Sequence, residues 1–371
     1  MDMLERGKIS ALQMAFMMNP TILATGLLLV PAITAKTAKQ DLWLSPIWAS
    51  FIGFLIVFVA FRLNKLYPKE TMFEYSEKIL GKIPGKIVGM ILVFYYFHVT
   101  GIIVREYGEF VSGTFLHQTP MLVMFSTMII VSSMAVYGGL EVIGRCSEMI
   151  VPILLVLYLV IFVMLLKDLD TKNFFPMLEK GLGPSLKGSI VLQSWFSEFI
   201  LVSFFFPYLR DQDKGMKWGM ISVFSVMFYM VLTNVMSLLL FGKLTASLTY
   251  PVMVAARYIS IADFLAHLES IVMALWVAGT FIKITVFYYA LVLGTAQWLK
   301  ISDFRPIVLP IGFLLILFGV WSAPNLQVLS HFLSTSAAFY LLSIQVGIPV
   351  FLLIIALIKK KRQQMKGSIT G

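Results

Sequence analysis

Ile9–Ala35 runs for 27 residues without an Asp, Glu, Lys or Arg, and the pattern recurs along the chain. Leu42–Phe61, Ile87–Val104, Phe110–Leu140, Met149–Leu166 and Trp218–Gly242 are equally free of charge. Gly188–Leu209 is interrupted only by Glu198, and Ser270–Leu299 only by Lys283. About 20 apolar residues in a helix cross the hydrocarbon of a bilayer. Pro306–Ile358 is too long for one crossing, and Pro324-Asn325 divides it into two. In lipid every backbone polar group must find a partner within the chain, which leaves helices or a closed barrel. Long unbroken runs, rather than short alternating ones, select helices. The expected fold is an all-α integral membrane bundle of about ten helices, with Tyr250–Leu268 as an interfacial helix.

Composition agrees. Hydrophobic residues make up 59% of the chain and charged ones 13%, against roughly 25% charged in a soluble domain. Of the 29 Lys and Arg, 19 fall in segments on one side of the expected bundle, including Lys65, Lys82, Arg145, Arg210 and the run Lys359–Arg362. Eight fall on the other, and Arg105 and Lys283 lie within helices. The positive-inside rule then places both termini in the cytoplasm. The net charge of +10 follows from topology and from attraction to anionic lipid, so no nucleic acid is called for. Lone Cys146 allows no internal disulfide and reads as a small packing residue.

The chain divides into five helices (9–166), a polar connection, five more (187–358) and a basic cytoplasmic tail (359–371), all within one transmembrane domain (1–371). An odd number of helices per half sends the second half in from the opposite face, giving an inverted repeat like that of many secondary transporters. The third helix of each half is expected to be the longest. In such a bundle a ligand site forms where the first helix of a half is broken near the midplane. Pro20 lacks a backbone donor and Gly26 tolerates unwinding, so a break is expected at Thr25-Gly26.

Ionised groups inside a membrane are costly and usually paired. Glu198 and Lys283, both within spans, are expected to bias each other's charge, directly or through water. Arg105 and Glu109, four apart on the third helix, are expected as a solvated interfacial pair, with an outer gate as the alternative. Glu141, Arg145 and Glu148 sit at helical spacing, so Arg145 is expected to bridge both carboxylates and fix a cytoplasmic corner. His98, His117, His267 and His331 are scattered and form no metal pair. There is no phosphate-cradling glycine loop and no nucleophile elbow, so neither a cofactor nor an enzyme activity is expected.

Ile9-Ser10-Ala11-Leu12-Gln13, followed by Gly26-Leu27-Leu28-Leu29-Val30-Pro31, resembles the spore germination permeases, the B subunits of GerA-type nutrient germinant receptors. Gly139-Leu140-Glu141 with Arg145, Glu148 and Pro152 is similar to the same family, as are the length, the helix count and the basic tail. The resemblance implies membership of the amino acid–polyamine–organocation superfamily and a LeuT-like 5+5 inverted-repeat fold. It implies location in the spore inner membrane, A and C subunits as partners, and a small nutrient germinant (amino acid, nucleoside or sugar) as ligand. A proton- or cation-coupled amino acid or polyamine transporter is the alternative. In LeuT-like proteins the first, third, sixth and eighth helices line the cavity. Carried over, these supply Thr25 and Gly26, then Tyr95, His98, Val99 and Ile102, then Ser194, Ser197 and Glu198, and finally Thr285 and Tyr289. Lys283 would stand where some of these transporters hold a sodium ion.

Overall fold

The computed structural model describes residues 4–259 and 268–367. Eight helical segments are long and apolar enough to cross a membrane. The first, Ala11–Leu66, spans 56 residues and would reach about 84 Å as one straight helix. It is two crossings, because Lys39 takes a φ of +52° and a 3₁₀ segment, Lys39–Leu44, separates α1 (Ala11–Ala38) from α2 (Ser45–Leu66). The short α3 (Met72–Leu80) leads into α4 (Lys82–Thr114), then α5 (Met121–Gly138) and α6 (Leu140–Leu165). The second half opens with α7 (Gly183–Ser197) and α8 (Val202–Phe205), followed by α9 (Gly215–Phe241) and a short α10 (Pro251–Tyr258). It continues with α11 (Leu268–Leu299), α12 (Arg305–Trp321), α13 (Leu326–Ser334), α14 (Ser336–Leu342) and α15 (Ile348–Gly367). With α12, which bends by 96° into α13, the described residues make ten crossings. The chain is an integral membrane protein.

Several starts and stops follow from local chemistry. Ser10 and Gln13 form a reciprocal capping box, with bonds of 3.0 and 2.9 Å, that opens α1. Thr71 and Glu74 do the same for α3. Pro184 and Pro306 occupy the first turns of α7 and α12, where no backbone donor is needed. At Gly85 the turn from α3 into α4 is so tight that a Cβ would fall 2.3 Å from the Cα of Glu77.

α4 and α11, at 33 and 32 residues, are the longest single helices, as expected for the third of each half. α1 sits at the centre, packed against α6, α7, α9 and α11. Lipid tails are as apolar as leucine, so helices associate here by close packing and buried hydrogen bonds. Asn234, for example, donates to the carbonyl of Leu42 at 2.8 Å. The outside is greasy: Met149 is 74% exposed and Phe94 66%.

Three expectations change. α1 is unbroken through Thr25-Gly26, with Pro20 and Pro31 both inside it. Asn19 donates to the carbonyl of Ala15 at 2.9 Å, and Thr21 to that of Met17 at 2.7 Å. The sixth crossing is irregular instead, passing through 3₁₀ geometry at Glu198–Leu201 and again at Phe206–Tyr208. The basic segment Lys359–Arg362 continues α15 rather than forming a separate tail, and Lys359 donates to the carbonyl of Ile79 at 2.6 Å. Of the interfacial helix expected over Tyr250–Leu268, Pro251–Tyr258 is helical and residues 260–267, His267 included, lie outside the described residues.

The N-terminal segment is anchored to both halves. Ile9 pairs its backbone with α8's exit, donating to Tyr208 at 3.2 Å and accepting from Arg210 at 2.9 Å. Glu5, almost fully buried, accepts from the amides of Gly7 (2.6 Å) and Leu140 (3.0 Å) and from the hydroxyl of Tyr289 (3.2 Å).

Candidate functional site

Lys283 lies halfway along α11 and Thr25 halfway along α1, at the depth where charge is least tolerated. The ammonium of Lys283 donates to both oxygens of Glu198, at 2.8 and 3.0 Å, and to the hydroxyl of Thr25 at 3.0 Å. The indole of Trp195 donates to the same hydroxyl at 2.9 Å. Side-chain exposure of Lys283 and Glu198 is 1% and 6%, so neither charge is screened by water. Glu198 caps the C-terminus of α7, where partial negative charge from the helix also favours a cation. Three crossings thus meet at one ion pair.

Beside it is a cavity of about 30 Å³ lined by Thr25, Val99, Ile102, Ser194, Glu198 and Lys283, and by Glu106. Leu333 and Ala337 close its other side. A second cavity of about 20 Å³ shares Thr25, Glu106 and Leu333 and adds Phe110, Tyr250 and Trp276. Each has room for one or two waters, too little for an amino acid without rearrangement of the lining.

The remaining sequence candidates sit elsewhere. A Cβ at Gly26 would fall 2.4 Å from the end of Met230, so this glycine permits close contact with α9. The ring of Tyr95 packs on Tyr96 and Tyr340, and His98 is surrounded by Phe318, Phe332 and Tyr340. Ser197 donates to the carbonyl of Ser194 at 2.7 Å and to the side chain of Gln345, which lies in a π-helical turn at Ser343–Gly347. Thr285 is buried but outside both cavities. Tyr289 is far along α11, bonded to Glu5 and packed against Phe304.

The charged clusters also differ from expectation. Arg105 and Glu109 are buried rather than solvated, with bonds of 2.5 and 2.9 Å, and the guanidinium also reaches the carbonyls of Val320 and Pro324. The pair therefore ties α4 to the end of α12. Arg145 bonds Glu141 at 2.8 Å, and Arg210 joins from α8's exit at 3.1 Å. Glu148 instead accepts from Gln13 at 2.8 Å, so Arg145 does not bridge both carboxylates.

Sequence reasoning passed over Glu106, whose Oε1 is buried and accepts no hydrogen bond among the described residues. A helical signal was available: Val99, Ile102, Glu106 and Phe110 recur every three or four residues and all line the cavities. The described residues contain no group of His, Cys, Asp or Glu able to hold a metal.

The family model described as spore germination protein matches residues 8–327. Spore germination protein KB of Bacillus subtilis (strain 168) is 26% identical over 368 residues, covering 97% of this chain and 98% of its own. Among solved structures, MhsT in complex with L-phenylalanine superposes with a TM-score of 0.69 at 15% identity, over 95% of this chain and 99% of that one. A substrate-bound, outward-open Na⁺-coupled sialic acid symporter gives 0.66 at 11% identity, over 93% and 81%. These likenesses establish the LeuT-like 5+5 inverted-repeat fold.

Proposed function

The chain belongs to the spore germination protein family, and from that premise we propose that it is a receptor subunit that binds a small nutrient germinant in its central cavity. The observation that carries this reading is the Thr25–Lys283–Glu198 contact beside the cavity. It joins α1, α7 and α11 through one ammonium, so any ligand that shifts one of these helices alters the charge balance of all three. A ligand acts only through its different affinity for two conformations. Moving a population from 1:99 to 99:1 takes about 10⁴-fold, or about 5.5 kcal/mol. Occlusion by the α13–α14 wall is the bistable step, and A and C subunits in the spore inner membrane read it.

In this reading Lys283 supplies the positive charge that other members of the fold take from a bound sodium ion, and both termini face the cytoplasm. Labelling of single cysteines placed at each end should react from the same side. The central test is a receptor-deletion strain carrying this gene with its partner genes, exposed to amino acids, nucleosides and sugars. A nutrient response that disappears in Lys283→Met, at unchanged receptor level, supports the proposal; an unaltered response refutes it.

A second reading, a proton- or cation-coupled transporter of amino acids or polyamines, is favoured by the same buried ion pair. Gradient-dependent uptake in proteoliposomes decides for it.

A further inference from the structure

The two buried carboxylates at the cavity are not in the same electrostatic condition. Glu198 has both oxygens on the ammonium of Lys283. Glu106 has none of this: Arg105, its neighbour, is turned to Glu109 and to the carbonyls of Val320 and Pro324, and Glu106 Oε1 is left without a donor among the described residues. Glu106 is 8% exposed and lines both cavities.

What surrounds it matters as much. Phe110, Tyr250 and Trp276 line the smaller cavity together with Glu106. Their rings form a cluster, with Phe110 and Trp276 centroids 4.0 Å apart and Phe110 and Tyr250 5.1 Å apart. Aromatic faces attract cations, most strongly where water is excluded. A carboxylate with an unpartnered buried oxygen beside three aromatic rings is the kind of surrounding that recognises an ammonium. No uncompensated cation lines either cavity among the described residues, since Lys283 is fully engaged. α1 is unbroken, so it presents no free amides to a ligand carboxylate.

We propose that Glu106, Phe110, Tyr250 and Trp276 form an ammonium-binding site, so that the ligand class is small protonated amines, amino acids being accepted through their amino group with the carboxylate dispensable. The inference rests on the central cavity being the ligand site. It separates amines from nucleosides and sugars, which have no such charge, and from hydroxy acids, which have only the opposite one.

The test uses the purified full chain in detergent and reads the rise in thermal midpoint on adding matched probes. These are L-alanine, L-valine and L-phenylalanine, each with its decarboxylated amine and its 2-hydroxy acid, together with glucose and inosine. At least one amino acid and its amine should raise the midpoint while the hydroxy acids, glucose and inosine do not. Glu106→Gln should weaken that binding at least tenfold, equivalent to about 1.4 kcal/mol, and Glu106→Asp should retain part of it. Phe110→Leu, which leaves the carboxylate in place, should weaken amine binding several-fold. The unliganded midpoint of each variant confirms folding. A hydroxy acid binding as well as its amine, an unchanged affinity in Glu106→Gln, or binding by glucose or inosine alone overturns the site. If spores carrying the chain respond only to uncharged nutrients, the ammonium site falls and the receptor reading stands. If amines bind the purified chain but the spores respond to nothing, the receptor reading falls and the site stands.

Discussion

Removing one partner of the central ion pair strands the other in a dry interior. In Lys283→Met the side chain keeps nearly the same length, but Glu198 loses contacts at 2.8 and 3.0 Å and Thr25 loses one at 3.0 Å. With both side chains at or below 6% exposure, bulk water does not reach the stranded carboxylate, and the cavity beside it has room for only one or two waters. Breaking a buried pair this way costs about 3–5 kcal/mol. The double variant Glu198→Gln/Lys283→Met removes both charges, and a neutral pair of similar volume should regain most of that loss. The assay is a double-mutant cycle on the thermal midpoint of the purified protein, run beside the nutrient response of spores. Each single variant should melt several degrees lower, the double variant close to wild type, and all three should fail to respond. Losses that add to within about 0.5 kcal/mol mean that the two residues are energetically independent, and the reasoning from the ion pair is then wrong.

Thr25→Val keeps the shape but deprives Trp195 and Lys283 of a shared acceptor; stability should drop by about 1–3 kcal/mol, measured by thermal melting, with the nutrient response weakened more than the melting. Gly85→Ala drives a methyl into the backbone of Glu77, 2.3 Å from its Cα, and should cost about 1–3 kcal/mol, whereas Gly113→Ala, which meets nothing within 4 Å, should leave the thermal midpoint unchanged or slightly raised. Glu74, outside the spans, has its carboxyl pushed above the usual value of 4.5, chiefly by burial. A raised value means the folded state holds its proton longer, so this contribution to stability is complete below pH 4.5 and lost as pH rises through the higher folded value. Glu74→Gln, which can still accept from Thr71, should flatten that part of the melting-versus-pH curve.

The crossings were legible because charge-free runs of bilayer length have few other uses, and Glu198 and Lys283 stood out because each interrupts such a run. Where only one residue breaks the silence in each of two spans, pairing is the economical reading, and the 2.8 Å contact agrees with it. Glu106 was hidden by its neighbours: Arg105 and Glu109 offer a ready i,i+4 pair, and that pattern absorbed the whole segment. Helix 1 misled for a related reason. Pro20 and Gly26 permit a break but do not force one: α1 runs through both, with Asn19 and Thr21 turned back onto the carbonyls of Ala15 and Met17 in directions that a sequence does not display. The aromatic and hydroxyl candidates Tyr95, His98, Thr285 and Tyr289 depended on helix rotation, which is set by packing between distant segments. The two family-like motifs, by contrast, meet in space, since Gln13 of the first bonds Glu148 of the second.

The anchored N-terminal segment makes the bundle's two halves share a mooring. Glu5 holds the start of α6 and the far part of α11, while four residues later Ile9 is bonded through both its backbone groups to the segment leaving α8. The exit of α8 cannot swing away from the first helix without breaking both Ile9 bonds, and the segment before α1 cannot leave without shedding those to Glu5 as well. Parting the halves on that side therefore breaks several bonds together rather than one.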